Sequence, residues 1–172
     1  MPAAKKTTAR TTTKKPAGPD AIRLLTDDHK EVDALFKAYD KLAQAEAEGD
    51  ERQALAEQIC TMLEVHATIE EEIFYPAARA AEVESDLLDE AEVEHASAKD
   101  LIAQLRGMSP DEDLYDAKVT VLGEFVRHHV GEEQDEMFPL CKKSSMDLKA
   151  LGEQLLARKE ALMLELGVGS EA

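Results

Sequence analysis

The sequence predicts an all-α protein: an up-down four-helix bundle with an additional short C-terminal helix. Three observations carry this. The 172 residues are 44% apolar but only 4% aromatic, with eight Gly and six Pro, and Ala, Leu, Glu and Lys, all strong helix formers, are abundant. Apolar residues recur three and four positions apart from residue 20 onward, the period of an α-helix face. The breaks between these stripes are short, so successive helices must return antiparallel to one another.

The first stripe is Ile22, Leu25, His29, Val32, Phe36 and Tyr39. Asp20 is its expected N-cap, and Glu48-Gly49-Asp50 its end, with Gly at the C-cap and Asp restarting a helix. Leu55, Ile59, Met62, His66, Ile69 and Ile73 form the second, expected to fade after Pro76. Ser85-Asp86 opens the third, Leu88, Ala91, His95, Ala98, Ile102 and Leu105, which breaks at Gly107 to Asp111. The fourth reads Val119, Leu122, Val126, His129, Glu133, Met137 and Leu140. A shorter fifth helix, 146–166, is opened by Ser144-Ser145 and ended by Gly167. Domain organisation follows: a disordered basic leader (1–19), the bundle (20–142), and a C-terminal helix packed on it (143–172).

Charge narrows the function. Residues 1–19 carry Lys5, Lys6, Arg10, Lys14 and Lys15 and no acid, yet the whole chain is at -17. Such a surface repels phosphates, so no specific nucleic-acid partner is expected. No stretch approaches the roughly 20 apolar residues of a membrane span. Two Cys, Cys60 and Cys141, form no disulfide framework and suit a reducing compartment, so the expected location is cytoplasmic. Phosphate-binding loops, nucleophile elbows and Cys-based zinc patterns are absent.

Each bundle helix carries one histidine within its apolar stripe: His29, His66, His95 and His129. In an antiparallel hairpin, residues share a level when the turn lies midway between them. Gly49 lies near the midpoint of His29 and His66, Pro110-Asp111 near that of His95 and His129, and the Ala-rich connection near that of His66 and His95. All four imidazoles therefore fall within about one helix turn, ~5.4 Å, of a common layer. Glu70 and Glu133 join it, because His66/Glu70 and His129/Glu133 both read HxxxE, with the two groups on one face a turn apart. Each motif ends in an aromatic and then Pro, Phe74-Tyr75-Pro76 and Phe138-Pro139, with Pro ten residues after the His in both. The chain reads as a duplicated hairpin, lone His then HxxxE. His128/Glu132 is a competing HxxxE, but only His129 keeps the spacing to Pro. Two ionised carboxylates in a core call for a cation, since burying each unpaired costs several kcal/mol. Mixed imidazole and carboxylate donors suit iron, with manganese second; a structural zinc site would be tetrahedral and closed.

At these residues the chain resembles the hemerythrin-like (HHE cation-binding) family, over about residues 20–142. The resemblance implies a bundle enclosing a non-haem di-iron Fe–O–Fe centre reactive toward O2. It further implies His29, His66, His95 and His129 as terminal ligands and Glu70 and Glu133 as bridges. The oxygen-carrying members have one more histidine on the third helix, where this chain has Ala91 and Lys99 a turn either side of His95. That leaves roughly one open position on each iron and widens the expectation from simple carriage to peroxide or NO chemistry, oxygen or redox sensing, or iron handling. Alternatives are a di-iron oxidase or peroxidase and a metal-independent helical interaction module. Asp33, one turn beyond His29, and His128 are candidate outer partners of the ligating imidazoles. Tyr39, Tyr75 and the two Cys are expected to be core residues.

Overall fold

The structure, a computed structural model, describes residues 18–167. The basic leader, apart from Gly18 and Pro19, lies outside the described residues. Helices α1 (Ala21–Gln44), α2 (Gly49–Ile69), α3 (Tyr75–Ala80), α4 (Ser85–Arg106), α5 (Tyr115–Glu132), α6 (Phe138–Lys143) and α7 (Leu148–Glu165) follow in order. α1 packs on α2 and α5, and α4 on α5 and α2, which closes a four-membered bundle.

Asp20 caps α1 as expected, accepting a hydrogen bond of 2.8 Å from the Arg23 N–H. The far end differs from expectation. α1 stops at Gln44, and the left-handed residue is Glu46, with φ 50°, not Gly49. Gly49 instead begins α2, where an added Cβ would lie 3.1 Å from Pro110 and Asp111 of the loop between α4 and α5. It is small so that two connections can touch. The fifth helix begins at Leu148, close to the expected Met146, where Asp147 provides the cap by accepting from the Ala150 N–H.

A larger departure lies at the prolines. The second rod ends at Ala80, soon after Pro76 as expected, but it does not reach Pro76 as a regular α-helix. It passes through a π-helical turn, Glu70–Phe74, and continues as α3; the fourth does the same through Glu133–Met137 into α6. The Tyr75 N–H bonds the Glu70 carbonyl, and the Phe138 N–H bonds the Glu133 carbonyl, five residues back in both cases. In a regular α-helix the rings of Pro76 and Pro139 would meet the carbonyls of Glu72 and Asp135. The wider turn lets each helix run on.

The interior has two apolar clusters. One gathers Ile22, Leu25, Phe74, Leu88, Phe138 and Cys141 with Leu151 and Leu155 of α7. The other gathers Val32, Phe36, Tyr39, Ile59, Ile102 and Leu122. The fifth helix lies along α1 and α2. Gly152 permits this, since a Cβ there would stand 2.3 Å from the Pro19 carbonyl oxygen. None of the described helices is long and apolar enough to cross a membrane.

Candidate metal centre

Between the two clusters lie two enclosed acids. Glu70 and Glu133 are 0% and 1% exposed, and His29, His66, His95 and His129 are buried around them. All four imidazoles turn Nε2 inward. His29 and His66 meet at 3.2 Å, His95 and His129 at 3.1 Å. Glu70 Oε1 lies 3.0 Å from His66 Nε2 and 3.4 Å from His95 Nε2. Glu133 Oε1 lies 2.8 Å from His129 Nε2 and 3.5 Å from His29 Nε2. Each carboxylate thus spans both histidine pairs. The donors fall into two sets that could each hold a cation: His29, His66, Glu70 and Glu133, and Glu70, His95 and His129.

A metal fits this arrangement. Glu70 Oε1 and Glu133 Oε1 are buried and accept no aligned hydrogen bond, although acceptors at this depth are normally satisfied. They point among four imidazole nitrogens, where a cation would meet them. Without one, protonated histidines carry the balance. Burial alone would lower the pKa of His66, but Glu70 and Asp28 push it up to about 10. His129 is likewise lowered by burial and raised by Glu133 and Glu94, to about 11. Burial opposes the ionisation of Glu70, yet His66 holds its carboxyl well below the usual range.

Three residues at the site went unrecognised in the sequence. The Tyr75 hydroxyl sits against four of the six groups: 3.3 Å from Glu70 Oε2 and His95 Nε2, 3.2 Å from His129 Nε2 and 3.3 Å from Glu133 Oε2. Its counterpart before the second Pro is Phe138, which stacks on His29 with ring centroids 6.0 Å apart and brings no oxygen. The π turn creates this position, since it stacks Tyr75 over Glu70 where an α-helix would turn it away. Asp28 and Glu94 are the other two. Asp28 Oδ2 lies 2.9 Å from His66 Nδ1, and Glu94 Oε1 lies 3.1 Å from His129 Nδ1. Each is the residue before the lone His of its hairpin and steadies the His of the HxxxE motif across the interface. Asp28 also receives the Lys159 ammonium from α7 at 2.5 Å.

Asp33 does not face an imidazole. It pairs with Lys37 at 2.7 Å and Arg127 at 3.4 Å on the surface. The outer acid on α1 is Asp28 instead, because the imidazole it serves belongs to α2. His128 is exposed and reaches Glu94 and Glu132, not the buried donors. Tyr39 bonds Asp116 at the far end, and both Cys are buried free thiols.

Beside the histidine layer a cavity of about 50 Å³ is walled by Val32, Met62, Ala98, Ile102, Phe125 and Val126. A water needs roughly 10–15 Å³ of such space, so the cavity admits molecules of a few atoms and no large substrate.

A helical bundle with two adjoining His/Glu donor sets in its core defines a metal-binding protein. The chain belongs to the hemerythrin HHE cation-binding domain family, whose model matches residues 20–141. It is 29% identical over 150 residues to a DNA nickase of Nostoc sp., matching 86% of this chain but only 40% of that protein's length. It is 26% identical over 125 residues to an uncharacterized protein of Mycobacterium tuberculosis, covering 71% of this chain and 76% of the relative. The crystal structure of a hemerythrin HHE cation-binding domain-containing protein from Mycobacterium kansasii superposes with a TM-score of 0.71. It is 26% identical and covers 86% of this chain and 89% of the other.

Proposed function

We propose that the chain holds a non-haem di-iron centre and uses it to bind or sense O2 or a related small molecule such as peroxide or NO. The observation that carries this reading is the pair of buried carboxylate oxygens without hydrogen bonds, set among four inward Nε2 atoms beside a cavity of about 50 Å³. His29 and His66 would hold one iron and His95 and His129 the other, with Glu70 and Glu133 available to both and the Tyr75 hydroxyl as an additional oxygen donor. Bound iron would supply electron exchange with the small molecule. The protein's part is to hold the donors, exclude bulk water and limit size. Asp28 and Glu94 accept from Nδ1, which directs Nε2 of His66 and His129 inward. Val32, Met62, Ile102 and Val126 keep the approach apolar.

DNA nicking belongs to a relative of which this chain spans 40%, and the charge of -17 argues against carrying it over. A second reading, turnover of peroxide, draws on the Tyr75 hydroxyl, which stands where it can donate a proton beside both carboxylates.

The test is an anaerobic Fe2+ titration followed by O2, watched by absorption. Two Fe2+ per chain, then charge-transfer bands of a ferric pair, are expected; less than one iron per chain would refute the reading. Tyr75→Phe should still bind two irons but alter the bands, and it should slow peroxide consumption if turnover is the activity. An unchanged spectrum would remove Tyr75 from the centre.

A further inference from the structure

A second cluster of donor groups lies outside the buried set. Glu94 of α4 turns Oε1 inward to His129 Nδ1 at 3.1 Å, while its Oε2 faces outward, 3.5 Å from His128 Nε2. His128 Nε2 is also 3.1 Å from Glu132 Oε1, one turn along α5. The three donor atoms lie within 4.8 Å of one another. Asp89 and Glu90 border the same shallow hollow, Asp89 being paired with Arg79 at 2.6 Å.

The duplicated hairpin supplies an internal comparison. In the first half, Asp28 accepts from His66 Nδ1, and its other oxygen is met by the Lys159 ammonium of α7. The residues just before His66 and Glu70 are Val65 and Ile69, both buried. In the second half Glu94 takes the place of Asp28, and the residues just before His129 and Glu133 are His128 and Glu132. No Lys or Arg among the described residues lies within 4 Å of Glu94 or Glu132. One half therefore closes its outer carboxylate with an ammonium. The other offers two carboxylates and an imidazole, open to solvent, with no cation.

The geometry points to a further divalent-cation site formed by Glu94, His128 and Glu132, on the surface and one carboxylate away from His129. An imidazole from a helix and a carboxylate at i+4 chelate one ion, and Glu94 completes a three-donor face whose other positions water fills. Two carboxylates with one imidazole, exposed to water, suit a labile first-row divalent ion such as Mn2+. The site is separate from the buried pair in its donors and touches it only through Glu94.

The test uses the full chain after iron loading and desalting, titrated with Mn2+ and read by the electron paramagnetic resonance of free Mn2+. One saturable Mn2+ per chain is expected. His128→Ala and Glu132→Lys should each weaken it tenfold or more, the latter by placing an ammonium where the ion sits, and neither should disturb the iron absorption bands. Absence of saturable Mn2+ in the wild type, or wild-type affinity retained in either variant, would assign any uptake to the acidic surface at large and overturn the proposal. If iron loading itself fails, the same titration on the chain as purified still reads the His128-dependent ion, so the two readings fail separately.

Discussion

Asp28 shows how much a single side chain can carry at this site. It is 4% exposed, and burial would raise its carboxyl, but the His66 imidazole and the Lys159 ammonium hold it below the ordinary range. It thereby fixes which nitrogen of His66 faces inward. Asp28→Asn should keep the fold but weaken metal loading about 10–100-fold, measurable by competition with a chelator; an unchanged affinity would mean Lys159 and packing orient His66 alone. The raised pKa values of His66 and His129, about 10 and about 11, carry a second consequence. A metal takes neutral imidazole, so anaerobic Fe2+ loading at pH 7 should release about two protons per chain in a pH-stat; no release would show both rings already neutral. In the metal-free chain, stabilisation by these two rings is complete below about pH 6.5, the unfolded value, and is lost as pH rises through the folded values. Glu70, depressed, works oppositely: its contribution is present above about pH 4.3 and fades as pH falls. The six central groups were legible in the sequence because their spacing and the midway turns imply one layer. Asp28 was not, since its partner lies across an interface and leaves no periodic trace. Yet an acid precedes the lone His in both hairpins, Asp28-His29 and Glu94-His95, and that repeat was a readable signal.

At the level of elements, the π turns explain what periodicity could not. A stripe at three and four assumes 3.6 residues per turn throughout, and Pro76 then reads as the start of a fade. One additional residue per turn instead carries the helix past Pro and rotates everything beyond it, by about 100° per residue on the α-helical period. Tyr75 and Phe138 reach the layer only because of that rotation, which is why Tyr75 was expected to be plain core. The paired signal in the sequence was an HxxxE motif followed by Pro at the same distance in both halves. Deleting Glu72, an exposed residue inside the first π turn, should restore α-helical register. His66 and Glu70 lie before the change and stay in place, whereas Tyr75 should leave the layer and Phe74 and Ala78 should lose their packing. The expected outcome is a lower melting temperature, from a loss of about 2–5 kcal/mol as buried side chains are displaced, together with iron bands resembling those of Tyr75→Phe. Wild-type bands in the deletion variant would show that the π turn does not position Tyr75.

For the molecule as a whole, the placement of the centre between two apolar clusters decides how stability and metal are linked. Each cluster is continuous without the six polar groups: one is anchored by Phe74, Phe138 and Leu155, the other by Phe36, Tyr39 and Leu122. α7, which the repeat pattern could not orient, ties the first cluster to the centre through Gly152 on Pro19 and Lys159 on Asp28. The metal-free chain should therefore fold, with the Glu70 and Glu133 charges balanced by imidazolium in the layer between the clusters. A metal that binds only the folded chain adds RT ln(1 + [L]/Kd), about 4 kcal/mol at a thousandfold excess over Kd. For a chain of this size each kcal/mol moves the melting temperature by about 2–4 °C, so saturating Fe2+ under argon should raise it by roughly 8–16 °C. Glu70→Ala and Glu133→Ala each remove a carboxylate that spans both histidine pairs, so both should abolish most of that increase. His128→Ala, outside the layer, should preserve it. An equal melting temperature with and without Fe2+, or an increase that survives both glutamate variants, would place iron away from the centre of the bundle.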